Sequence, residues 1–480
     1  MPNLLASLSS SGNALDVFQQ ALNVIQNNVN NSSTPGYATQ SLILAAQPLV
    51  VTGGLTGGVA AQGLQDSRDN YAEEQVQQQT QTLGMYTAQA QATGTIQSFF
   101  DVSGTGGLPA ALNNLLSAFS AWSVTPNDPT AQQTVLRSAD ALASSVNGLA
   151  NSLSGTSQQL DGQIGSTVSQ INGIAEQIEQ YNAQRLQAAQ PDPGAEAQLY
   201  SALDNLSQLT NFTTVTQTDG TVTVMLGGGT PLVIGDQVNS LSAADSVDTN
   251  PPPANPASPP TAHILDSQGN DITSQIDSGQ LGGLLDVRNR VLGSLLGDSQ
   301  QAGSLNQFAS TLADTVNQIL ESGTVSSSAG AASGTALFTY DSTDATAAAG
   351  SLALNPAITA SQLAPVDASG VANGIANQLA SLGNTGNTQG NINGMNLVQF
   401  LAQIATSVGQ ENQTATTNQT TQQQVAAQAT TLRDQVSGVS LDEQAVDVLQ
   451  FQRAYQATAQ VLTVLNTLAD STLNMMTVAS

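Results

Sequence analysis

The chain has 480 residues, 40% of them hydrophobic, which is enough for about three packed domains and too apolar for a wholly disordered protein. Its formal net charge of −27 sets 34 acidic residues against seven arginines and no lysine. Such a field repels phosphate backbones and acidic membrane faces, and Arg68, Arg137, Arg185, Arg288, Arg290, Arg433 and Arg453 are scattered along the sequence, so neither a nucleic-acid nor a membrane partner is expected.

The first predicted element is a helix. Leu4, Leu8, Leu15, Phe18, Leu22, Ile25 and Val29 recur in alternating three- and four-residue steps, with Ser11 filling the one missing position, which is a heptad seam. Pro35 has no backbone donor and restrains Thr34, so this helix is expected to stop near Asn31. The first thirty residues carry no Lys, no Arg and no apolar stretch of the secretory kind, so a Sec signal peptide is not expected there. No apolar run is long enough to span a bilayer, and the absence of Cys lets the chain pass between reducing and oxidising compartments without a bond changing.

Helices are predicted next over 66–100 and 108–121. A longer one begins at Asp128 and Pro129, a fitting N-cap and first-turn pair, and runs to about Gln187. Along it Leu142, Val146, Leu149, Leu153, Leu160, Ile164, Val168, Ile171, Ile174, Ile178 and Tyr181 keep a nearly constant face, as in a long helical rod.

The period changes after Leu209. Residues 213–218 and 221–226 alternate around Asp219-Gly220, a hairpin signal. Strand pieces follow at 231–234 and 263–266, separated by an extended Pro-rich loop over 251–260. This β-rich block, 210–283, reads as an insertion into a helical rod spanning 61–209 and 284–436. Further helices are predicted over 284–321 and 396–436, with a short hairpin near 337–355.

The closing helix repeats the heptad device. Val448, Phe451, Tyr455, Leu462, Leu465 and Met476 share one register, with Thr458, Ala469 and Thr472 as its small members. A second stripe, Ala454, Ala457, Val461, Val464, Leu468 and Met475, runs beside it. A helix apolar over two adjacent seams requires more than one neighbour.

Residues for catalysis are missing. One histidine, no cysteine and no lysine leave little for acid–base or nucleophilic chemistry. His263, beside a predicted strand and with no partner evident in the sequence, is read as a surface or strand-edge residue rather than a catalytic one. The Gly-rich stretches 53–58, 104–107 and 227–229 lack the Lys-Ser or Lys-Thr of a phosphate loop and read as turns. Asp266, Asn270 and Asp271 fail the spacing of a calcium loop, and a turn at Gly269-Asn270 explains them. Glu73-Glu74 and Asp442-Glu443 sit at helix starts, where acids favour the dipole. No catalytic, cofactor-binding or metal residue is assigned, and an enzyme is not expected.

The run NVNNSSTPGYATQ resembles the asparagine-rich signature of flagellar rod, hook and hook-associated proteins, carried here by Asn30, Asn31, Thr34, Pro35, Gly36 and Tyr37. The closing run from Gly438, with Leu441, Asp442, Glu443, Gln452, Ala454, Tyr455 and Ala457, looks like the final helix of the same group. Residues 278–292, SGQLGGLLDVRNRVL, are similar to a segment of the hook-associated proteins that form the hook-filament junction. The resemblance implies a mainly α fold in which the two ends, 1–60 and 437–480, pair as a coiled-coil assembly domain, with the helical-bundle rod outside them and the β domain outermost. It also implies export by the flagellar type III apparatus, an export chaperone on the C-terminal helix, and packing with copies of itself in a ring or helical layer, with hook protein and with hook-associated protein 3. Another axial protein, such as hook-associated protein 3, a hook or a rod component, is the alternative within the group. A secreted adhesin is the alternative outside it.

Overall fold

The computed structural model describes residues 2–48, 57–100, 106–188, 192–245 and 260–478. The predicted Pro-rich loop and the Gly-rich runs 53–58 and 104–107 lie wholly or mostly outside them. Helix α1 (Pro2–Asn30) ends at the expected turn. Strands β1 (Gln40–Gln47) and β2 (Gly58–Asp66) then form an antiparallel hairpin that leans on α1, with Gln40 opposite Asp66, Ala46 opposite Val59 and a bulge between Ile43 and Leu44. The sequence reading had no strands here: both faces of the ribbon are partly exposed, so no strict alternation marks it. β2 also crosses the expected boundary between residues 60 and 61.

Helices α2 (Asn70–Gln97), α3 (Gly107–Val124), α4 (Pro129–Gln187) and α5 (Pro193–Leu209) follow. Asp69, Asp128 and Asp192 each cap a helix, their carboxylates accepting from N–H groups of the first turn. α4 is 59 residues long, about 90 Å at 1.5 Å per residue. It buries its predicted stripe, Leu142, Leu153 and Ile171 completely. α5 was not anticipated, although Asp192-Pro193 repeats the Asp128-Pro129 start signal.

The β block is a four-stranded meander of β3 (Phe212–Thr216), β4 (Val222–Leu226), β5 (Pro231–Ile234) and β6 (Gln237–Val238), with β7 (Ser242–Ala244) paired to β8 (His263–Leu265). Its apolar face lies on the distal part of α4 and shares one continuous core with the helices. Two asparagines of α4 pin it there. Asn182 Nδ2 donates to the carbonyls of Val222 and Gly235, both at 2.8 Å, and Asn172 brackets Leu241.

The predicted helix over 284–321 is broken. α6 (Gly279–Leu285) continues through a π-helical turn, Asp286–Val291, into α7 (Leu292–Leu296), and α8 (Ser304–Glu321) starts afresh. Gly297 at φ 91° and Gly303 at φ 80° make the break. A Cβ on Gly303 would lie 2.2 Å from the nitrogen of Gly297, so this tight turn admits only glycine. The π turn projects three successive side chains to three places: Arg288 to Asp161 of α4, Asn289 to the backbone of Ala262, and Arg290 to Asp286 and to Glu411 further along the chain.

Strand β9 (Phe338–Thr339), helix α9 (Ala348–Ser351) and strand β10 (Ala353–Leu354) form the small hairpin, followed by α10 (Gly374–Ala380). α11 (Leu397–Ser437) runs back along α2, and α12 (Leu441–Val478) runs beside α1. Much of the α2–α11 seam is uncharged and polar: Gln422 bonds Gln79, Gln419 bonds Thr87, and Asn412 bonds Thr93. The fold is therefore mainly α, with the two terminal helices paired and an inserted β-rich block. Phe18 and Phe451, whose ring centroids are 6.2 Å apart, meet in the terminal pair.

Candidate assembly surface and its joint to the body

On α1, Leu4, Leu8, Leu15, Phe18 and Leu22 are partly buried and Ile25 is buried, but Val29 is 42% exposed. The most buried positions are Val17, Ala21, Ile25 and Asn28. The arc is turned from the expected seam because α1 has two neighbours, α12 and the β1–β2 hairpin, and the hairpin pulls burial toward its own side. On α12, Val448, Phe451, Leu462 and Leu465 are partly buried and Tyr455 is 36% exposed; the side chain of Met476 lies outside the described residues.

The second stripe of α12 faces outward. Val461, Val464, Leu468 and Met475 are each at least half exposed, and Val446, Leu449 and Leu473 extend the apolar surface along the helix. Fully burying a side chain of this kind is worth about 1.5–3 kcal/mol, and monomeric proteins rarely expose such a contiguous strip. The first register of α12 is spent inside the chain, and the second is free.

The Asn-rich motif lies where this pair meets the body. Asn31 caps back on Asn27 and accepts from Thr34 Oγ1, while Asn30 and Pro35 are exposed. Gly36 has φ 73°, and a Cβ there would lie 2.3 Å from the carbonyl oxygen of Ala197 in α5, so the loop touches α5 backbone to backbone. Tyr37 Oη donates to Asn28 Oδ1 at 2.8 Å. The same oxygen accepts from the N–H of Gln40, and Asn28 Nδ2 donates to Gln40 O and Gln444 Oε1. All four hydrogen-bonding capacities of this buried amide are thus met.

Beside it is an ion cluster that sequence reading did not find. Arg68 Nη1 contacts Glu73 Oε1 at 2.6 Å, its Nη2 donates to Gly36 O at 2.7 Å, and its guanidinium lies 3.5 Å above the Tyr200 ring. Arg433, from the end of α11, reaches Asp204 at 3.0 Å, Asp434 at 3.2 Å and Glu73 Oε2 at 3.5 Å. Arg68 and Arg433, 365 residues apart in sequence, are therefore brought together at Glu73, among carboxylates rather than in a basic patch. Burial pushes the carboxyl of Glu73 above its ordinary value despite Arg68 and Arg433, pushes Asp204 up despite Arg433, and raises the Tyr200 phenol to about 12.

His263 stands at the first position of β8, beside the predicted strand, and its ring has partners there. Its ring bonds Thr261 Oγ1 at 2.8 Å and Asp271 Oδ2 at 2.9 Å, tying the start of β8 to the following turn. Among the described residues no group of three or more His, Asp or Glu is placed to hold a metal ion, and no helix is long and apolar enough to cross a membrane.

Comparison with known proteins assigns this architecture. Residues 93–338, just over half of the chain, match the helical domain of flagellar hook-associated protein FlgK. Residues 8–37 match the flagellar basal body rod proteins, and 434–475 the C-terminal segment of the basal body rod FlgEFG proteins. Flagellar hook-associated protein 1 of Salmonella typhimurium is 27% identical over 313 residues, 63% of this chain, and the chain spans about half, 54%, of that relative's length. The Bacillus subtilis protein of the same name is 26% identical over 99% of both chains. The solved hook junction protein FlgK of Burkholderia pseudomallei has the same fold, with a TM-score of 0.63 at 17% identity over 76% of this chain and 100% of that one. The chain belongs to the flagellar hook-associated protein FlgK family.

Proposed function

We propose that this chain is a structural subunit that forms the junction between hook and filament, polymerising through its terminal helices and catalysing no reaction. The observation that carries the reading is the outward second stripe of α12, whose Val461, Val464, Leu468 and Met475 are each at least half exposed. In a layer of copies that stripe is buried against neighbouring terminal pairs. On this reading 1–60 and 437–480 form the assembly domain, 61–209 and 284–436 the rod, and 210–283 an outer domain pointing away from the axis. Hook protein below and hook-associated protein 3 above are the partners, and the chain is exported through the flagellar type III apparatus with a chaperone on the C-terminal helix. Electron microscopy of cells lacking the protein tests this. Hooks without filaments, with filament subunit released into the medium, support it; filaments of normal length on normal hooks refute it.

A further inference from the structure

α1 and α12 run antiparallel, since Phe18 meets Phe451 while Asn28, further along α1, meets Gln444, further back on α12. Asp16, two residues before Phe18, and Arg453, two residues after Phe451, therefore stand at one height on the pair. Asp16 is the only charged side chain in residues 1–65. Arg453 is the only cation of α12, beside Asp442, Glu443, Asp447 and Asp470. Both are exposed, and neither joins an ion pair among the described residues. Their own helices offer no partner either, because the positions three and four residues to each side of both are uncharged.

The two side chains lie on opposite flanks of the pair. Arg453 is seven residues past Val446, four past Leu449 and eleven before Val464, so the helical period sets it inside the outward apolar stripe, on the side of α12 away from α1. Asp16 shares the period of Leu5, Ser9 and Asn23, all exposed, and is turned from Phe18 and from the buried arc of Val17, Ala21 and Ile25. We propose that Arg453 of one copy pairs with Asp16 of the next, so that the α12 flank of each terminal pair packs on the α1 flank of its neighbour at the same height. The proposal rests on the reading that the chain polymerises through its terminal helices, and it names the contact.

Burying the outward stripe takes Arg453 out of water with it, and a guanidinium held in an interface without a carboxylate is strongly unfavourable. The copy that covers the stripe must therefore supply an acid. On the other flank of a terminal pair, α1 and the hairpin as far as Gln65 offer only Asp16. The alternative, α12 against α12, sets four acids and one arginine of each helix against the same set, and a two-fold contact of that kind closes as a dimer. Unlike flanks in contact leave a free flank at each end, which is what a ring or helical layer requires. The α1 side is also open to close approach: Ser9 is small, and a Cβ added at Gly12 would meet nothing within 4 Å. Between copies that each carry a net charge of −27, one opposite pair both attracts and fixes the height at which neighbours meet.

The chain has no cysteine, so a short bifunctional maleimide reports the contact. Asp16→Cys together with Arg453→Cys strands neither charge, so this chain should still assemble. Flagella isolated from cells that carry it as their only copy are expected to give a ladder of cross-linked multimers, and either cysteine alone should give none. No ladder with both, or a ladder with Arg453→Cys alone, which marks an α12–α12 contact, overturns the proposal. Charge exchange is the second arm. In cells lacking the native protein, Asp16→Arg and Arg453→Asp should each lower the swimming fraction about tenfold or more while the subunit melts like the parent, and D16R with R453D should restore it to within about twofold. Parent-like swimming of either single variant, or a double variant no better than the singles, is the contrary result. Normal filaments on cells lacking the protein refute the junction reading and leave the cross-link standing; a missing ladder where such cells bear bare hooks does the reverse.

Discussion

The side-chain amide of Asn28 donates to the side-chain oxygen of Gln444 at 2.8 Å, joining residues 416 apart in sequence. Asn28 is 1% exposed and Gln444 3%. Replacing Asn28 by Leu leaves Tyr37 Oη, both backbone groups of Gln40 and the Gln444 amide short of partners, each such loss costing about 1–3 kcal/mol. Hydrogen exchange is expected to quicken in 17–30 and 441–455 while the amides of α4 keep their protection. Uniform protection in the variant contradicts the assignment.

Neighbouring residues of α12 should separate two roles. Val464→Asp with Leu468→Asp alters only the exposed stripe, so the monomer should melt like the parent yet fail to join hooks to filaments in cells lacking the native protein. Leu462→Asp with Leu465→Asp places carboxylates against α1 and should loosen the terminal pair in the monomer itself. Equal melting and equal complementation by the two double variants would remove the distinction.

Leu142 and Ile171 are both 0% exposed on the long rod. Aspartate at either site buries an unpaired carboxylate in the core, at a cost of several kcal/mol. The main thermal transition should fall well below that of the parent. Surface changes on the same helix, such as Ser144→Asp, should leave it nearly unmoved.

The carboxyl of Glu73 is raised by burial, against the pull of Arg68 and Arg433 and with the charge of Asp204 acting in the same direction as burial. A carboxyl raised in the folded state adds stability below its unfolded value and loses that contribution as pH climbs through the folded value. Asp204 and Glu196, both raised first by burial, share this sign. Glu73→Gln should therefore flatten the decline of stability from mildly acidic to neutral pH. Denaturant unfolding of parent and variant across that range measures it, and a steeper decline in the variant is the contrary result.

The heptads at both ends, the Asp128-Pro129 helix start, the Asp219-Gly220 hairpin and the Asn-rich turn are legible in the sequence because each is set by residues within a turn or two of one another. Periodicity, capping and turn chemistry are local, and here they decide the elements and the mainly α class. The weakly alternating β1–β2 ribbon escaped that reading, and so did the glycine break inside 284–321, where apolar spacing continued across a turn that Gly297 and Gly303 alone permit. The rest was decided by tertiary structure. Arg68 and Arg433 meet at Glu73 only because α2 and α11 run side by side; Val29 turns outward because the hairpin claims another side of α1; and which stripe of α12 stays free depends on which one α1 covers. Local physics sets what each segment becomes, while desolvation and charge pairing between distant segments set where its side chains are spent.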